Sequence, residues 1–190
     1  MIMETGHAVR RIVHISTPLF LVYYLLPDPL WTGGPARILG LLILLAVVLI
    51  GEGLRLVYRP KIIGMRDYEQ SNISAATWAA IGMTFTFLFF PIGYAAPALM
   101  GMAWVDPVIG DLRKKRSPLY PSVPLVLYFL IVSVSMALII GPSIEVIIAS
   151  IVATPLAILA ERYKSRYVDD DFLMIVVPLL AIAGTIALLP

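Results

Sequence analysis

Residues 36–58 read ARILGLLILLAVVLIGEGLRLVY, an unbroken apolar run whose only charges, Arg37, Glu52 and Arg55, lie toward its ends. As an α-helix it is about 34 Å long, which exceeds the roughly 30 Å hydrocarbon core of a bilayer. Composition extends this reading to the whole chain. Of 190 residues, 60% are hydrophobic and 14% charged, and the mean hydropathy is +0.93, whereas an ordinary soluble domain has about 25% charged residues. An integral membrane protein is expected, one domain over residues 1–190, with its chemistry confined to helix ends and short loops. The absence of Cys excludes disulfides, thiolate metal sites and a cysteine nucleophile. Neither GxxxxGK[ST] nor HExxH occurs, which excludes a P-loop and a zincin site.

Outward from this run, proline, glycine and charge divide the chain into about seven spans: 12–26, 36–58, 74–90, a fourth beginning at Tyr94, then 123–140, 144–160 and 172–189. The fold class expected is all-α, a polytopic transmembrane bundle. The first span is only about 22 Å long as an α-helix, so it must extend at one end or enter the bilayer incompletely. Pro107, near the end of the fourth, is expected to kink or stop that helix and free backbone groups for a ligand. Basic residues fall at the N-terminal flank (Arg10, Arg11) and in the second-to-third connection (Arg55, Arg59, Lys61, Arg66). More follow in the fourth-to-fifth (Arg113, Lys114, Lys115, Arg116) and the sixth-to-seventh (Arg162, Lys164, Arg166), leaving only Arg37 on the other face. The positive-inside rule then places the N-terminus in the cytoplasm and, after seven spans, the C-terminus outside.

The clusters at those ends carry the chemistry. Residues 104–116, WVDPVIGDLRKKR, set Asp106 and Asp111 at the close of an apolar run and follow them with four cations. A second cluster, residues 161–171, runs from Glu161 to Asp169, Asp170 and Asp171. Cations alone satisfy the orientation rule; the acids beside them do not follow from it. Carboxylates hold Mg²⁺ and cations hold phosphate, so the combination suits a nucleotide-phosphate site at a bilayer surface. The plainer reading is that Arg and Lys only anchor helix ends. Arg11 and His14 are three apart and share a helical face; His14 is, on the plainer reading, an interfacial residue without a catalytic role. Glu52 and Arg55, also three apart, are expected to pair. An acid near a bilayer centre costs about 2.5–3.5 kcal/mol, which makes a functional role for Glu52 credible as well.

Three motifs in order resemble the dolichol kinase and phytol kinase family. Arg10-Arg11-Ile12-Val13-His14 is similar to its basic-x-x-His entry, Asp106-Pro107-Val108-Ile109-Gly110-Asp111 to its Asp motif, and Val168-Asp169-Asp170-Asp171 with Pro178 to its late acidic motif. Glu52 and Glu161 also match in position. Two departures stand out: Val105 replaces the glycine before the first Asp, and Asp171 stands where the family has Asn. The resemblance implies a polytopic enzyme, related to phosphatidate cytidylyltransferases, that uses CTP with Mg²⁺ to phosphorylate a long-chain isoprenoid alcohol at the cytoplasmic face of the membrane. The implied partners are CTP, that alcohol and the surrounding lipids, with no nucleic acid.

Phosphoryl transfer needs metal ions on phosphate oxygens, cations for developing charge and a positioned hydroxyl. Asp106, Asp111 and Asp170 are the candidate catalytic residues, and Asp106, Asp170 and Asp171 the candidate metal ligands. Arg11, His14, Arg113, Lys114 and Lys115 are the candidate nucleotide and phosphate contacts, with Glu52 and Glu161 in supporting positions. Two rivals remain. A cytidylyltransferase would attack the α-phosphorus of CTP with a lipid phosphate and needs a second anion site. A transporter or non-catalytic membrane protein would carry charge at midplane in broken helices.

Overall fold

The computed structural model describes residues 11–189 apart from 61, 63, 64, 66, 164, 166 and 167, and of residues 67 and 68 the backbone alone. Arg10, Lys61, Arg66, Lys164 and Arg166, used in the orientation argument, lie outside the described residues. Those described form helices without strands. An entry segment, Arg11–Leu25, precedes α1 (Arg37–Tyr58), α2 (Ala75–Phe89), α3 (Ile92–Lys114), α4 (Ser122–Ile140), α5 (Ile144–Arg162) and α6 (Asp170–Leu188). Five of these, α1 and α3 to α6, are long and apolar enough to cross a membrane, while the entry segment and α2 are shorter apolar helices.

The entry segment gains length by winding more tightly. Residues 11–15 are α-helical, but Thr17–Leu25 is a 3₁₀ helix with Pro18 in its first turn. A 3₁₀ helix rises about 2.0 Å per residue instead of 1.5 Å, so the segment reaches about 27 Å instead of about 22 Å. Its far end is clamped. Tyr24 Oη donates to the Phe90 carbonyl at 2.7 Å, Tyr23 stacks on Phe87 with centroids 5.0 Å apart, and Arg37 Nη1 donates to the Leu26 carbonyl at 3.2 Å. Arg37 also sits 4.9 Å over the Tyr23 ring. Arg37 therefore has a structural task, since a guanidinium satisfies carbonyls that a helix end leaves open.

α3 is the axis of the bundle. It packs against α4, α6 and the entry segment, and Ala95, Ala98, Leu99, Ala103, Val105 and Ile109 along it are fully buried. Lipid tails are as apolar as leucine, so helices in a membrane associate through close van der Waals contact, which small residues permit. Gly101 shows this directly: a Cβ there would lie 2.6 Å from the Tyr128 ring of α4. α5 presents Ala149, Ala153 and Ala157, four apart and all fully buried, and α6 is its principal neighbour. α1 is the outlier. Its only buried residues are Glu52 and Arg55, and its main contact is α2.

Pro107 does not stop α3, which runs without a break from Ile92 to Lys114 with Pro97 and Pro107 inside it. A proline removes one donor from the ladder, and buried Val105 and Ile109 on either side hold the helix in the core. The end comes later, at Lys115. There Arg116 takes a left-handed φ of 49°, its N–H bonds the Arg113 carbonyl at 3.0 Å, and the Ser117 N–H bonds the Leu112 carbonyl at 2.9 Å. This is a Schellman closure built without glycine.

The Gly101–Tyr128 contact makes a test of the packing. Gly101→Ala should lower stability in detergent by about 1–3 kcal/mol, the usual cost of overpacking. The Tyr128 hydroxyl is buried and has no hydrogen-bond partner among the described residues, so Tyr128→Phe should leave the melting temperature unchanged or raise it. Thermal melts of both variants check the pair of outcomes.

Candidate functional site

An unbroken α3 separates the two carboxylates of its C-terminal end. Five residues at 3.6 per turn place Asp106 and Asp111 about 140° apart around the axis. Asp111 turns to Arg11, whose Nη2 donates to its Oδ1 at 2.6 Å, with both side chains about half exposed. Asp106 meets His14 of the same entry segment, its Oδ2 3.4 Å from Nε2. The other ring nitrogen of His14, Nδ1, lies 4.0 Å from Oδ2 of Asp171 at the start of α6. The imidazole is nine-tenths buried. Three segments far apart in sequence thus converge on one ring.

Asp171 joins this group to a second. Asp169, Asp170 and Asp171 bring carboxylate oxygens within 4.8 Å of one another, as do the ligand atoms of His14, Asp106 and Asp171. Asp169 caps α6, its Oδ1 accepting from the Asp171 N–H at 3.1 Å, so the helix N-terminus faces the cluster and favours negative charge there. Burial, and then the neighbouring Asp171 and Asp170, push the Asp169 carboxyl up to about 6. Oxygen donors of this kind are what Mg²⁺ takes. The His14 nitrogen is not a donor that ion favours. An imidazole placed between two carboxylates has the position of a general base rather than of a ligand to that ion.

Glu52 and Arg55 are paired as their spacing implies, and the pair reaches further. Arg55 donates to Glu52 through Nε at 2.8 Å and Nη2 at 2.7 Å, and to the carbonyls of Glu69 at 2.9 Å and Asn72 at 2.6 Å. Glu52 in turn accepts from the Ser74 N–H at 2.6 Å. Ser74 is the cap of α2, accepting from the Thr77 N–H at 3.3 Å. One buried ion pair therefore ties α1 to the start of α2 and to the backbone at Glu69 and Asn72. Glu69, Ser74 and Thr77 were not legible as site residues, because only the fold brings them to Glu52. Together with His14, Asp171 and Met102 these groups line a cavity of about 450 Å³.

The cations of residues 113–115 lie beyond Asp106, at the end of α3. Arg113 Nη1 meets both carboxylate oxygens of Glu161, at 2.5 Å each, bracing α3 against α5. Lys114 and Lys115 are exposed and make no ion pair with another described residue. Arg11 and Arg113 are thus engaged by carboxylates, while Lys114 and Lys115, like Arg116, are exposed. Arg113 and Lys114 lie in the last turn of α3, where positive charge is favoured by the helix dipole.

The raised Asp169 carboxyl gives a sign for pH dependence in metal-free protein. A group whose folded pKa lies above its unfolded value stabilises the fold while protonated, and that contribution is lost as pH rises from about 4 through about 6. Asn caps as well as Asp, so Asp169→Asn should remove this loss and melt higher than the wild type at pH 7.5 in EDTA, with the two converging near pH 4. A gap between them that stays constant across this range would contradict the assignment. No family model matches the chain, and no curated protein or solved structure does either.

Proposed function

We propose that this chain is a membrane-embedded phosphotransferase that moves the γ-phosphoryl group of CTP, with Mg²⁺, to the hydroxyl of a long-chain isoprenoid alcohol. The observation that supports it best is the meeting of His14, Asp106 and Asp171, two of which, His14 and Asp171, also line the cavity. In this reading seven segments cross the bilayer, the N-terminus and the cluster face the cytoplasm, and the C-terminus is outside.

Asp106, Asp170 and Asp171 would hold Mg²⁺, which would supply positive charge against the phosphates. Lys114 and Lys115 attract the outer phosphates, with Arg11 and Arg113 beside them. His14 accepts the hydroxyl proton as the alcohol oxygen bonds to the γ-phosphorus. The bond from that phosphorus to the bridging oxygen breaks, and CDP leaves. Asp111 steadies Arg11 in this scheme, and Glu161 steadies Arg113. Charge gathered at one end of the bundle argues against a transporter, whose charges belong at midplane.

Label from γ-labelled CTP should pass to a polyprenol-type alcohol, and His14→Ala, Asp106→Asn and Asp171→Asn should each lower turnover by about 10²-fold or more, the range for loss of an acid–base group. The variants should keep the wild-type elution profile in detergent, and EDTA should abolish transfer reversibly. Label passing only from α-labelled CTP to a lipid phosphate would defeat the proposal. Orientation is checked separately. Lys114→Cys should react with an impermeant maleimide only in opened cells, and labelling of intact cells would reverse the topology.

A further inference from the structure

Nε2 of His14 is buried and has no hydrogen-bond partner among the described residues, in a side chain that is only 10% exposed. It faces Oδ2 of Asp106, 3.4 Å away. A charge-assisted hydrogen bond would close that distance to about 2.7–2.9 Å. Two ligand atoms that share one four-coordinate ion, each about 2.0–2.1 Å from it, instead stand about 3.3–3.4 Å apart. The pair therefore has the spacing of two ligands. Asp171 supplies the third: one ligand atom from each of His14, Asp106 and Asp171 lies within 4.8 Å of the others, and a turn of the Asp171 carboxylate closes the remaining gap. Asp106 and Asp171 have further interactions, but a ligand gives one oxygen and a carboxylate has two. An ion can arrive from either side, since Asp106 keeps 24% of its side chain exposed and His14 and Asp171 line the cavity beneath α1.

We propose that His14, Asp106 and Asp171 form a site for a borderline divalent transition ion, with Zn²⁺ as its representative, and that this ion and Mg²⁺ exclude one another. The ligand set separates the two. One imidazole nitrogen with two carboxylates suits Zn²⁺, while Asp169, Asp170 and Asp171 offer oxygen alone and suit Mg²⁺. Asp171 belongs to both groups. A Zn²⁺ ion that takes its carboxylate withdraws a ligand from the oxygen-only group, and Asp106 goes with it. The chain has no Cys, so no thiolate competes for the ion, and His7 is the sole other imidazole. Occupancy of the site stands on this geometry alone. Its effect on turnover rests on the proposed phosphotransfer: Zn²⁺ on Nε2 takes the lone pair that would accept the hydroxyl proton, so the ion inhibits the reaction that Mg²⁺ supports.

The test uses the full chain without a histidine tag, stripped with EDTA and returned to metal-free detergent buffer without nucleotide. Calorimetric titration with Zn²⁺ should show one tight event per chain, weakened about tenfold or more in His14→Gln and in Asp106→Asn and unchanged in His7→Gln. X-ray absorption at the zinc edge of the wild-type complex should show nitrogen and oxygen atoms at about 2.0–2.1 Å with a single imidazole among them. Added Mg²⁺ should lower the apparent Zn²⁺ affinity in step with its concentration. Binding that survives His14→Gln, a shell without imidazole, or loss of binding in His7→Gln would overturn the site, and a Zn²⁺ affinity indifferent to Mg²⁺ would overturn the exclusion. The absorption spectrum and His7→Gln decide the matter even if His14→Gln fails to fold. In the transfer assay Zn²⁺ should inhibit and extra Mg²⁺ should relieve it. Zn²⁺ held at His14 by a protein that transfers no phosphate would sink the proposed reaction alone, and transfer by a protein that binds no Zn²⁺ there would sink this site alone.

Discussion

A bilayer interior gives charged groups nowhere to go except helix ends, and the rest of this structure depends on that restriction. A charged side chain at mid-bilayer costs a few kcal/mol or more, so polar groups accumulate where segments surface. Helices that fold back on one another bring ends from distant parts of the chain together. His14, Asp106 and Asp171 meet because three such ends meet. Neighbours in sequence, Asp106 and Asp111, separate because they occupy different sides of one end.

Each polar contact then does mechanical service as well as electrostatic. Glu52 and Arg55 join α1 to the cap of α2, Arg11 and Asp111 join the entry segment to α3, and Arg113 and Glu161 join α3 to α5. Apolar packing within the bilayer is close but has little solvent-driven bias, so directional contacts at the ends determine which helices stand together. The centre is held differently, by alanine and glycine contacts such as Gly101 against Tyr128. α1 has almost none of these, which is why it stays at the edge with a cleft beneath it.

The helical class, the long apolar spans and the Glu52–Arg55 pair were legible, because apolar run length and a spacing of three are local properties. The acidic tract at residues 169–171 was legible for the same reason. The partner of Asp106 was not. Pro107 suggested a broken helix, and a break would have left Asp106 and Asp111 together; continuity through the proline rotates them apart, and continuity is decided by burial of Val105 and Ile109, a tertiary fact. The 3₁₀ winding of Thr17–Leu25 was equally hidden, since it answers to the clamp at Phe90 and Leu26 and not to propensity.

The two arginine braces on α3 differ in their surroundings. Arg11 and Asp111 are about half exposed, whereas Glu161 is nearly enclosed beneath Arg113. Exposed pairs are screened by dissolved ions over a Debye length of about 8 Å at physiological ionic strength, and enclosed ones far less. Rising salt therefore loosens the entry segment from α3 while α3 and α5 stay fastened. His14 rides on that segment, so the geometry of the imidazole between its two carboxylates is coupled to ionic strength through a contact that does not touch it.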